Sequence, residues 1–195
     1  MSRIDLLYFF LISVNMFSLS GQNPAEKIDT LVETYYQNGE FNGVVLVAKK
    51  GEIIYEKAFG YADREWDIPN TIDTKFRIAS ISKPFTALLV LQLAESGKIN
   101  LNGTITDYIP DYKGKLGDSI TIHQLLTHTS GILTSLAPAE ENVQERLYHN
   151  LREMISFAES ADLYFRPGKG FRYSNLSYNI LAFIIEKITG KDWRY

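Results

Sequence analysis

The chain has 195 residues, enough for one domain with room for two lobes, and its 45% hydrophobic and 22% charged residues are those of an ordinary globular protein. A net charge of −3, with no run of like charge, gives no electrostatic case for binding nucleic acid. The absence of cysteine excludes disulfides, a thiol nucleophile, thiolate metal sites and anchoring through an acylated cysteine.

The first element in chain order is an apolar stretch from Leu6 to Leu19, preceded by Arg3 and followed by small residues at Ser18 and Ser20. It reads as a secretory signal peptide over residues 1–21, cut near Ser20 or Gly21, which implies an exported, periplasmic or secreted protein. Asp5 offsets the charge of Arg3. An uncleaved N-terminal membrane anchor is the alternative, but roughly 14 apolar residues are short for a bilayer span. No other segment is apolar enough to cross a membrane, so none is expected in the mature chain.

Ile28, Leu31, Val32, Tyr35 and Tyr36 recur at helical spacing, with Gly39 as the stop. Val44-Val45-Leu46-Val47 and Ile53-Ile54-Tyr55 read as two strands of a hairpin turned at Lys50-Gly51. Residues 61–79 look irregular. A helix is expected from about 81 to 96, with Phe85, Leu88, Leu89, Gln92 and Leu93 on one side and Gly97 at its end. Residues 98–120 are turn-rich. Thr121-Ile122-His123-Gln124 is a capping-box pattern opening a short helix. Val143, Leu147, Leu151, Ile155 and Ala158 mark another helix, 167–170 a loop, and Leu176, Ile180, Ile184 and Ile188 a last helix stopped by Gly190. Two strands followed by helices define an α+β chain whose hairpin needs further strands to complete its sheet.

The chemistry-bearing pattern is Ser80-Ile81-Ser82-Lys83, the one S-x-x-K in the chain. Positions i and i+3 share a helical face, so a hydroxyl and an amine meet at a helix start, where developing negative charge is favoured. A serine hydroxyl becomes nucleophilic only when a neighbouring base takes its proton. By itself the pattern is expected about once by chance in such a chain. It gains weight from Tyr173-Ser174-Asn175, which follows the 167–170 loop and precedes the last helix. A phenol near a lysine can relay a proton, and an amide can orient a carbonyl. A second Tyr-x-Asn, Tyr148-His149-Asn150, falls inside a helical pattern and reads as packing or surface. His123 and His128 are five residues apart, with no acidic ligand at useful spacing, so no metal site is called for. The segment around His128 reads as capping and structural hydrogen bonding.

Ser-x-x-Lys followed later by Tyr-x-Asn resembles the serine β-lactamase and penicillin-binding protein superfamily, in its branch of class C β-lactamases, DD-peptidases and related esterases. Phe76-Arg77-Ile78-Ala79-Ser80 is similar to that family's approach to its nucleophile. The run from Ile120 through Leu125-Leu126-Thr127-His128-Thr129-Ser130-Gly131-Ile132 is similar to its recurring LLTHTSG segment. Pro167-Gly168, Tyr173-Ser174-Asn175 and Glu186-Lys187-Ile188-Thr189-Gly190 match its PG…YSN…ExxTG run, so the likeness covers roughly residues 25 to 190. The resemblance implies a β-lactamase/DD-peptidase-like α+β fold over residues 22–195. It implies a serine hydrolase acting through an acyl-enzyme on a small-molecule or peptide substrate: a β-lactam, a D-alanyl peptide or an ester. In that reading Ser80 is the acylated nucleophile, Lys83 its general base, Tyr173 the proton shuttle and activator of the deacylating water, and Asn175 a contact to the substrate amide. The backbone N–H of Ser80 would form half of an oxyanion hole. No cofactor is implied, and oligomeric state is left open.

One departure is as specific as the agreements. The family's third motif, Lys-Thr-Gly or His-x-Gly on a strand well after Tyr-x-Asn, is not found in the 20 residues that follow Asn175. Lys49-Lys50-Gly51 and Lys115-Leu116-Gly117 have a loosely similar pattern but read as turns. The expectation is a truncated or split member, an incomplete domain lacking its C-terminal sheet strands. A catalytically inactive binding module, or a non-functional fragment of such an enzyme, is the second reading.

Overall fold

The computed structural model describes residues 23–133 and 151–192. The expected signal peptide over 1–21, the positions Val143 and Leu147, and Tyr148-His149-Asn150 lie outside the described residues. The chain divides into two units, Met1–Arg77 and Ile78–Tyr195.

In the first unit, helix α1 (Pro24–Gln37) begins where Asn23 accepts a hydrogen bond from the Ala25 N–H and Pro24 occupies the first turn. Strands β1 (Gly43–Lys49) and β2 (Glu52–Phe59) form the expected antiparallel hairpin, with Val47 opposite Tyr55 and Lys49 opposite Glu52. The two turn residues, Lys50 and Gly51, both have left-handed φ (53° and 86°), the hairpin geometry that matches strand twist and that Gly51 permits without a Cβ penalty. The register slips between Val47 and Ala48. Helix α1 lies against β2. There Asp29 accepts hydrogen bonds from the Tyr55 hydroxyl and the Lys57 ammonium, both at 2.8 Å, while Tyr36 meets the buried Phe59 ring at 5.6 Å. Burial and the Asp29 carboxylate push the Tyr55 phenol up to about 12, so it stays protonated and donates to Asp29.

Residues 61–79 are more ordered than their sequence predicts. Tyr61–Asp63 (β3) pairs antiparallel with Ile68–Pro69 (β4). The reversal is made by Asp63, whose carboxylate accepts from the Glu65 and Trp66 N–H groups, and by Asp67 at φ 50°. Strands of three and two residues are too short to leave a period in the sequence. Among the described residues the β1–β2 sheet has two strands.

The second unit is helical. A 3-10 turn (Ala79–Ile81) leads into α2 (Ser82–Glu95), followed by α3 (Ile105–Tyr108), α4 (Ile122–Leu126), α5 (Leu151–Ser160) and α6 (Asn175–Thr189). Helix α6 is the core element. Leu176, Ile180, Leu181, Ile184 and Ile185 are buried, and α2, α3, α4 and α5 lie against it. Gly190 ends it at φ 67°. Both α3 and α4 open with reciprocal capping boxes, Thr104 with Asp107 and Thr121 with Gln124. The second was legible in the sequence; the first stood in the stretch read as turns. Lys115-Leu116-Gly117 is a turn, with Leu116 at φ 55°. Ile184 is fully buried in this cluster. Ile184→Ala is therefore expected to destabilise the chain by about 2–5 kcal/mol, read as a lowered midpoint in chemical denaturation.

Helix α2 corrects the expected face. Phe85, Leu88 and Leu89 are exposed and Val90 is fully buried. The side turned inward carries Lys83, Thr86, Ala87, Val90, Leu93 and Ala94, at i, i+3, i+4 spacing. Val90 lies in the core cluster, with Leu93 and Ala94 packed against it. Among the described residues no helix is long and apolar enough to cross a membrane.

Candidate active site

The four side chains singled out in the sequence converge in the second unit. Ser80 Oγ is 2.5 Å from the Tyr173 hydroxyl oxygen, and Lys83 Nζ donates to Ser80 Oγ at 3.3 Å and to Asn175 Oδ1 at 2.8 Å. Lys83 Nζ also lies 4.8 Å from the centre of the Tyr173 ring and 5.6 Å from that of Tyr178. The nucleophile candidate thus touches both a phenol and an amine, and Asn175 fixes the amine from its far side.

Each placement has a local cause. Ser80 sits in the 3-10 turn ahead of α2, so Lys83, three residues on, falls beside it. Ala79 before it has φ 46°, a left-handed conformation uncommon for a residue with a Cβ. Ser82 Oγ donates back to the Ala79 carbonyl at 2.8 Å, tying the elbow that presents Ser80. Asn175 is the first residue of α6, and Ser174 before it caps that helix by accepting from the Ser177 N–H at 3.0 Å.

Tyr173 is the one member of the four carried by a loop, and the loop is held by the segment after α4. The Tyr164 N–H donates to the Gly131 carbonyl, Gly168 to Thr129 and Arg172 to His128, at 2.8–2.9 Å. Ser174 Oγ donates to the Leu133 carbonyl at 2.6 Å, and the buried Ser130 and Ser177 hydroxyls pair at 3.0 Å. Gly131, at φ 82°, is required here, because a Cβ would run into the Phe165 carbonyl oxygen. The 127–133 stretch is therefore a clamp on the loop, as its expected structural role implies. The particular contacts it makes were not legible, since its partners lie some 30 to 50 residues away.

The electrostatics bear on proton transfer. Burial pushes the Tyr173 phenol up, but hydrogen bonds from Lys83 and Ser80 and the charge of Lys83 outweigh it, leaving the phenol below its ordinary value. Tyr178 goes the other way, raised by burial and by Tyr173. A cleft of about 510 Å³ reaches Lys83 and Asn175 from the side of Phe85, Leu89 and Leu151, and is not lined by Ser80 or Tyr173. Among the described residues no group of three His, Asp or Glu side chains is placed to hold a metal ion.

A serine, a lysine, a tyrosine and an asparagine are thus linked at the starts of α2 and α6, with Lys83 joining Asn175 to Ser80. The chain belongs to the beta-lactamase family, which it matches over residues 28–194. It is 36% identical over 189 residues to esterase EstB of Burkholderia gladioli, covering 90% of this chain and 48% of that protein. It is 33% identical over 172 residues to protein flp of Staphylococcus aureus (strain NCTC 8325 / PS 47), covering 86% of this chain and 34% of that protein. The chain thus spans about half the length of the first relative and a third of the second. Among solved structures, EstCE1, a hydrolase with promiscuous acyltransferase activity, superposes with a TM-score of 0.75 at 32% identity, over 90% of this chain and 50% of that one. The β-lactamase/DD-peptidase-like α+β fold expected from the sequence is the fold of these neighbours.

Proposed function

We propose that the chain is a serine hydrolase that cleaves an ester or amide through an acyl-enzyme on Ser80. One observation carries this reading: the Ser80 hydroxyl lies within hydrogen-bonding distance of both a phenol and an amine, on an exposed elbow. Ser80 Oγ attacks the substrate carbonyl and its proton passes to the phenolate form of Tyr173, the nearer partner, in place of the Lys83 amine expected from the resemblance. Lys83 is the second proton acceptor or donor of the set and holds the phenol in its reactive state by charge and hydrogen bond. The tetrahedral intermediate collapses, the leaving alcohol or amine takes the proton back from Tyr173, and an acyl ester of Ser80 remains. Water, deprotonated by the Tyr173 phenolate that this leaves, attacks the acyl ester, and the phenol returns that proton to Ser80 Oγ as the acid departs. Asn175 orients Lys83 and meets the substrate amide or ester beside it. The Ser80 N–H, in the first turn of its helix where such groups have no intrahelical partner, stabilises the oxyanion.

Esters are the favoured substrates, because relatives with about a third of their residues in common include a named esterase and a hydrolase with acyltransferase activity. Acyl transfer also requires the bound acyl group that this mechanism supplies.

The test is covalent labelling with a fluorophosphonate, followed by peptide mass spectrometry. The label is expected on the peptide bearing Ser80. A label elsewhere, or none at any pH between the histidine and tyrosine ranges, rules the reading out. In that case, saturable binding of a penicilloyl or cell-wall peptide would mark the chain as a binding module.

A further inference from the structure

His128 takes no part in the chemistry above, yet it holds Tyr173 from three directions. Its carbonyl accepts the Arg172 N–H at 2.9 Å, and its Nδ1 accepts the Ser174 N–H at 3.1 Å. The backbone N–H groups of the residues before and after Tyr173 are thereby tied to a single residue. Its ring lies against the phenol, with centroids 4.6 Å apart and planes 35° from parallel. Behind it the Tyr178 ring packs at 5.1 Å, fixed by that residue's hydroxyl donating to the Leu126 carbonyl at 3.1 Å, and Phe171 meets it edge-on at 6.1 Å. His128 itself is at φ 58°, which turns its carbonyl and its ring toward the same loop.

An Nδ1 that accepts from a backbone N–H carries no proton, so the hydrogen of the neutral ring is on Nε2. Protonation would place an N–H against an N–H and break that bond. The titratable groups facing the ring are Lys83 from α2, Tyr173 from the loop and Tyr178 from α6. Burial, then the positive charge of Lys83, hold the imidazole below its ordinary value and favour the neutral form.

Resting on the reading of Ser80 and Tyr173 as the reacting pair, we propose that His128 is a positioning residue. Its neutral ring and its carbonyl fix the backbone and the ring face of Tyr173 so that the phenol oxygen meets the Ser80 hydroxyl, and protonation of the ring releases that hold. The site is thereby given an acid limit set by a group that never touches the substrate.

The experiment compares the parent with His128→Asn and His128→Ala, by fluorophosphonate labelling rate against pH and by NMR of the imidazole nitrogens and of the Tyr173 Cζ. Asparagine tolerates the left-handed backbone and offers a non-titrating oxygen near where Nδ1 stood. The parent's labelling rate is expected to fall as pH drops through a midpoint below about 6.5. His128→Asn should label within about tenfold of the parent at neutral pH, the loss of the imidazole's ring contacts, and lack the added fall below that midpoint while keeping the slope that follows the Tyr173 phenol. His128→Ala should be slower on the order of 10²-fold, the scale of a misplaced reacting group, with the Tyr173 phenol titrating nearer its ordinary value. An unchanged acid limb in His128→Asn, or a parental rate in His128→Ala, overturns the proposal. If no variant labels at any pH, the reading of Ser80 fails separately, and NMR still decides about His128. A protonated Nδ1 at neutral pH, or a Tyr173 titration identical in parent and His128→Ala, overturns it there.

Discussion

Ser80→Ala is expected to remove hydrolysis of an activated ester such as p-nitrophenyl acetate, lowering the rate by on the order of 10⁴–10⁶-fold toward that of buffer alone. The size follows from there being no substitute nucleophile in place among the described residues. The Ser82 hydroxyl donates to the Ala79 carbonyl, and Ser130, Ser174 and Ser177 are buried and hydrogen-bonded to one another or to backbone. Among the described residues, only Ser80 is both exposed and in contact with a phenol and an amine. Because it is exposed, its replacement should alter stability by less than about 0.5 kcal/mol, so a thermal melt beside the rate assay separates lost chemistry from lost fold. Turnover that survives the substitution would move the nucleophile elsewhere.

Tyr173→Phe should lower the rate of Ser80 acylation by about 10²–10⁴-fold. The substitution deletes one oxygen and leaves the ring against His128, so the loop clamp is retained. The pH dependence carries a second signature. Burial raises the phenol, the Lys83 and Ser80 hydrogen bonds and the Lys83 charge lower it, and the net displacement is downward. More phenolate is therefore present at mildly alkaline pH than for a free tyrosine. The parent's acylation rate should climb with pH and level off below 10, the ordinary phenol value. In Tyr173→Phe that climb should vanish. A variant that keeps the parental rate would transfer the role of immediate proton acceptor to Lys83, 3.3 Å from the hydroxyl.

What the sequence disclosed of this site follows from how local each contact is. Ser80 and Lys83 share a helical face by spacing alone, and Asn175 opens a helix whose apolar period is clean. Tyr173 meets Ser80 across 93 residues of chain, a separation that no local periodicity encodes. Its membership in the set rested on its place in a loop before the last helix, on the chemistry of a phenol near a lysine, and on likeness to a family. His128 was legible as a structural residue but not as the partner of Tyr173, because its role is made by a backbone carbonyl and a ring nitrogen aimed at residues 44 and 46 positions later. The buried face of α2 was misread for another reason. Phe85, Leu88, Leu89, Val90, Leu91 and Leu93 put apolar side chains around most of that helix, so its sequence lacks the polar stripe that marks an outer face. The short β3–β4 pair is set by Asp63 accepting two backbone hydrogen bonds, a turn that residue type permits but does not announce.

The division of the site between helix mouths and a loop has a consequence for how it fails. Lys83 and Asn175 are borne by the starts of two helices packed against each other, with Ser80 in the turn that leads into the first, and they stay in register as long as that contact survives. Tyr173 depends on a handful of main-chain hydrogen bonds to residues 128–133. On the proposed mechanism, warming or mild denaturant is therefore expected to separate the Tyr173 hydroxyl from Ser80 while Ser80, Lys83 and Asn175 remain assembled, so that activity falls before the helices part.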